Sequence, residues 1–214
     1  MLTEHIKEAL SQVKELQRMV MERQHFRGYS GWARIVSGTL ALIASAIMAS
    51  RFYPQNTRAH ILGWGALFVV ALVLNGAALV YWFFHDPKVG RDIARLKPLF
   101  DSLPALAVGG ALTAAMLMND THQYLFGIWM CMFGLSNLGS RYVLPRMIML
   151  VGIFYIVSGI AWLLAPSVDF LNPLPMGIVF FAGEWAGGLI LHMDERRYIL
   201  IERYQDEHEK GDAE

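Results

Sequence analysis

Charge is scarce in this chain. Only 17% of its 214 residues are Asp, Glu, Lys or Arg, where a soluble domain carries about 25%. The charges also cancel, 18 basic against 18 acidic, so no basic field draws nucleic acid. Cys131 is the one cysteine, which excludes an intrachain disulfide framework and a zinc site built on several thiolates. Residues 1–28 contain no apolar core with a small-residue cleavage site, so no cleavable signal peptide is expected. No H-E-x-x-H, G-x-S-x-G, Walker or dinucleotide fingerprint occurs. No catalytic residue is indicated, and neither cofactor nor metal is expected.

What the chain has instead is apolar residues, 55% of the total, in long runs. Read between ionisable residues, the runs cover 35–50, 61–84, 102–119, 123–140, 147–168 and 170–193. A span needs about 20 residues. The first run is short, so Arg34 and Arg51 are expected to snorkel outward, with Trp32, Phe52 and Tyr53 in the headgroup belt. The fold class that follows is an all-α integral membrane protein with a six-transmembrane-helix bundle. Residues 1–31 form a cytoplasmic amphipathic segment with an interfacial elbow. Residues 32–193 form the bundle, with an interfacial loop at 85–101, and 194–214 form a cytoplasmic tail.

Sixteen of the 18 Lys and Arg residues fall on one side of that topology; only Arg51 and Arg58 fall on the other. The positive-inside rule then places both termini in the cytoplasm, in keeping with a bacterial inner membrane. The spans read as three hairpins. Ser37-Gly38, Gly109-Gly110 and Ser158-Gly159 mark the first helices, and Gly65, Gly127 and Gly177 mark the starts of the second. Asn75, Asn137 and Gly187 follow ten residues on. The last hairpin, with Gly152, Ser158-Gly159, Pro166 and Gly177, resembles that of the HdeD-type acid-resistance proteins, small six-span bacterial membrane proteins of three hairpins. The resemblance implies the triple-hairpin fold and no catalytic residues. Along the first span Ser37, Ala41, Ser45 and Ala49 form a small ridge for a close helix neighbour.

Outside the spans, Leu2, Ile6, Ala9, Val13, Leu16 and Val20 recur at alternating spacings of 4 and 3. That is an apolar coiled-coil seam, which predicts a homo-oligomer, most simply a dimer. The bland alternative is an amphipathic helix lying on the bilayer or on the chain's own C-terminal helix. A soluble cytoplasmic partner is a further candidate for these segments. In the loop before the third span, Arg91, Arg95 and Lys97 oppose Ile93, Leu96, Leu99 and Phe100, a pattern suited to lipid headgroups. The tail from Met193 is expected to continue the sixth span as a helix.

Glu184 is the outlier inside the apolar runs. It falls near the centre of the sixth, within Gly183-Glu-Trp-Ala-Gly187. Desolvation disfavours a lone carboxylate there, so the expectation is a neutral acid hydrogen-bonded across a helix pair. Asn75, Thr113, Asn137, Tyr155 and Ser158 are its candidate partners. The other reading is a proton or cation site. His60, His85, His122 and His192 fall at span ends and read as interfacial, although His60, His122 and Asp120 share one side. The 12 methionines read as packing filler. Two functions result: an oligomeric scaffold or sensor subunit, or a small transporter or channel using Glu184.

Overall fold

The computed structural model describes residues 29–85, 97–140, 144–165 and 169–211. Within them the chain is helical and has no strand. The helices are α1 (Gly31–Met48), α2 (Thr57–His85), α3 (Lys97–Met118), α4 (Leu125–Gly139), α5 (Ile148–Leu164) and α6 (Leu174–Gly211). A single 3₁₀ turn, His122–Tyr124, leads into α4. Among the described residues, three helices are long and apolar enough to cross a membrane: Gly31–Met48, Thr57–His85 and Leu174–Ile201. Two shorter apolar stretches, Ser102–Met118 and Ile148–Leu164, accompany them. The fourth run yields only 15 helical residues, about 22 Å of rise against a hydrocarbon core of about 30 Å.

Local chemistry sets the helix ends. Ser30 Oγ accepts from the Ala33 N–H and caps α1. Asn56 Oδ1 accepts from the Ala59 N–H at the start of α2. At the end of α3, Asp120 takes a left-handed φ of 53°. The Thr121 N–H then reaches back to Met116 O at 3.0 Å, closing a Schellman turn. Asp is among the few non-glycine residues that tolerate this conformation. The tripeptide Asn119-Asp120-Thr121 is thus a helix stop.

Two expectations about boundaries change. Residues 97–101, assigned to an interfacial loop, are the first turn of α3, and Lys97 opens that helix. The tail does continue the last span, because α6 runs unbroken for 38 residues to Gly211. The seam at Leu2, Ile6, Ala9, Val13, Leu16 and Val20 lies outside the described residues, as do Arg91 and Arg95.

Each sequential pair of helices is in contact, but the most extensive packing runs between the pairs. α1 packs chiefly on α6, and α4 on α5; α3 leans on α4 and α2 on α1, while α5 meets α6 along a shorter seam. Small residues explain the two dominant pairs. Gly127 faces Gly159 and Gly134 faces Gly152, so α4 and α5 approach backbone to backbone. On α1, Gly31 faces Gly188, while Ala41 and Ser45 face Gly177. The neighbour of the small ridge is therefore α6 of the same chain, although Ala49 at its end is exposed.

Candidate functional site: a buried ion pair between the first and last helices

Glu184 is not a lone acid. Arg34, on the first turn of α1, meets it from the side. Arg34 Nε donates to Glu184 Oε2 at 3.0 Å and Nη2 donates to Oε1 at 2.8 Å. This is the parallel two-bond fork that guanidinium and carboxylate geometry favours. Arg34 Nη1 donates to Asn137 Oδ1 at 3.1 Å, and Tyr155 Oη donates to Glu184 Oε1 at 3.1 Å. Asn137 passes its own Nδ2–H to Phe133 O. Four side chains from α1, α4, α5 and α6 thus form one connected network, and all four are buried.

The local sequence makes room for it. The Gly183 and Gly187 pair flanks Glu184 by one residue before and three after. A Cβ on Gly183 would collide with the Tyr155 ring, and one on Gly187 would lie 2.7 Å from the Arg34 guanidinium carbon. The motif therefore admits the two side chains that hold the carboxylate.

Apolar layers seal the network at both ends. Met48, Trp64, Leu125, Phe126, Met130, Phe170 and Met176 form one cluster. Leu79, Leu144, Ile148 and Leu191 form another. Along α6 the order is Met176, Glu184, Leu191, so the polar layer lies between the two. Phe133, Tyr155 and Phe180 add mutual ring contacts at 5.0–5.2 Å beside the carboxylate.

The structure corrects the sequence reading in two ways. A buried fork to Arg34 replaces the expected neutral acid. Arg34 does not snorkel outward, and its burial lowers the basic count on the proposed cytoplasmic side from sixteen to fifteen. Glu184 does lie near the middle of the candidate span Leu174–Ile201.

Of the proposed partners, Asn137 and Tyr155 join the network. Asn75 does not: its Nδ2 donates to Ser37 Oγ at 3.2 Å and to Ala71 O. Thr113 accepts from Trp129 Nε1 instead. Ser158 is half-buried on α5 and makes none of the network's contacts. Arg34 was missed because charged residues served as span boundaries, which removes any charge inside a helix end from view. Its signal is present nonetheless: Ser30 caps a helix that begins before Arg34 does.

Chemically, the network is a closed clamp. Both carboxylate oxygens and three guanidinium nitrogens are engaged. Comparison with protein families, curated proteins and solved structures finds no match to this chain.

Proposed function

We propose that the protein is an integral membrane scaffold or sensor subunit that holds the two ends of its chain together. One observation carries the reading: the Arg34–Glu184 clamp ties the helix that follows the N-terminal segment to the helix that carries the C-terminus. Gly31 meets Gly188 and Trp32 meets His192 at the same end of the bundle. The start of α1 and the far part of α6 therefore share one end of the bundle, which suits association there with a second copy or a soluble partner. The apolar seam of residues 2–20 supplies the self-association, most simply into a dimer. A transport cycle on Glu184 is the weaker reading. It requires the carboxylate to surrender the two Arg34 bonds and the Tyr155 bond in every turnover.

Deleting residues 2–20, or placing Asp at Ile6 and Val13, is expected to lower the detergent-corrected mass measured by light scattering. An unchanged mass with a well-folded bundle removes self-association through the seam.

The same reading includes six spans, with both termini in the cytoplasm of a bacterial cell, and the charge bias of the flanking segments supports it. In a Cys131→Ser background, single cysteines at the exposed positions Asn56, Asn119 and Asp169 should react with an impermeant maleimide on intact cells. A cysteine at exposed Arg196 should react only after lysis. Labelling of the Arg196 position on intact cells overturns the topology. Phe170, a loop-edge position by sequence, is unsuitable for this test because it is buried in the aromatic cluster.

A further inference from the structure

The clamp leaves one buried titratable group unexplained, at the opposite end of the bundle. His60 is 0% exposed. Its Nδ1 lies 3.1 Å from the Asn56 carbonyl oxygen. A carbonyl only accepts, so Nδ1 carries the proton and Nε2 presents a lone pair. That Nε2 is buried with no hydrogen-bond partner. A ring whose N–H is fixed by a backbone carbonyl, with the other nitrogen free, is the arrangement of a metal-ligating histidine.

The surroundings are rich in sulfur. The His60 ring lies 6.3 Å from that of Phe170, and Phe170 shares its cluster with Met48, Met130 and Met176. All three methionines are at most 3% exposed. The Met48 sulfur lies against Gly63, where an added Cβ would be 2.7 Å from it. Gly63 is three residues beyond His60, on the same face of α2. Hard cations and zinc lack their usual ligands here. Among the described residues, no three His, Cys, Asp or Glu side chains gather. Imidazole with thioether sulfur is a soft donor set, which selects Cu(I). The half-exposed His122 also places its ring 6.0 Å from Phe170, an imidazole on the approach from the surface.

We propose that His60 Nε2 and the thioethers of Met48, Met130 and Met176 form a Cu(I) site. The methionines, filler by sequence alone, gain this role because they are buried in the cluster that Phe170 joins to the His60 ring. The competing occupant is a water bridging His60 Nε2 and the Trp64 indole N–H, which is also buried and unpartnered.

The test uses the full chain in detergent, under anaerobic reducing conditions, titrated against the coloured Cu(I)–bicinchoninate complex. Wild type is expected to withdraw one copper per chain. His60→Phe, and the triple change of Met48, Met130 and Met176 to Leu, should each weaken uptake by at least about tenfold. Met to Leu conserves volume, so the triple variant should keep its fold, as its elution profile and thermal melt would show. X-ray absorption of the copper-loaded protein should show both nitrogen and sulfur neighbours. A well-folded triple variant that withdraws as much copper as wild type overturns the site. So does a wild type that withdraws none, which would leave the bridging water as the occupant.

Discussion

Arg34→Leu is expected to destabilise the protein by about 3–5 kcal/mol, because it leaves the Glu184 carboxylate buried without its counter-ion. Glu184→Leu should cost a similar amount by stranding the guanidinium. Removing both charges together is expected to recover most of the loss, since an apolar pair of similar volume need not be desolvated. Glu184→Gln should fall between, keeping the shape and an acceptor for Arg34 but abandoning the charge. Thermal melts of the detergent-solubilised single and double variants form the required cycle, and the coupling energy is their non-additivity. Single Leu variants as stable as wild type would remove the clamp as an energetic feature. A neutral, singly bonded acid, as the sequence suggests, predicts a loss nearer 1 kcal/mol for Glu184→Leu, so the two pictures differ severalfold in the same assay.

Glycine substitutions are expected to split into two groups of opposite sign. A Cβ on Gly159 would lie 2.6 Å from Gly127 O and 2.6 Å from Cys131 Sγ, and one on Gly134 would lie 2.7 Å from Gly152 O. The obstacle in each case includes backbone, which cannot swing aside. Gly159→Leu and Gly134→Leu should therefore force α4 and α5 apart and cost about 3 kcal/mol or more. Gly65, Gly76 and Gly110 have nothing within 4 Å of an added Cβ. Alanine at Gly76 should stabilise α2 by about 0.5–1 kcal/mol, because a helical glycine loses more backbone entropy on folding. Melting temperatures of Gly159→Ala and Gly76→Ala, measured side by side, check the sign. A Gly159→Ala variant at least as stable as wild type would show that the α4–α5 seam is looser than described.

Much of the architecture is legible in the sequence, because hydropathy reports helices directly. The six apolar runs correspond to six helices, and the helical continuation beyond Met193 is as expected. Pairing is less legible. The pairs Gly127–Gly159 and Gly134–Gly152 are each separated by 18 or more residues, and nothing local says which glycine meets which. The site is half legible. Glu184, Asn137 and Tyr155 stand out as polar residues in apolar surroundings. Arg34 sits at the edge of its run, where the same residue type ordinarily reaches for water. Only the third dimension shows that Gly187 leaves a notch for its guanidinium.

An unbroken α6 has a mechanical consequence. From Glu184 to Gly211 the helix runs on without interruption, about 40 Å of rod beyond the point where Arg34 grips it. Packing continues past the clamp to Leu191 and His192, so the lever arm is the stretch beyond them. A tilt of about 10° at His192 would sweep Gly211 through roughly 5 Å, about half a helix diameter. A modest repacking around Tyr155 and Asn137 would thereby become a large displacement at Gly211, and a load applied at Gly211 would return to the carboxylate as torque.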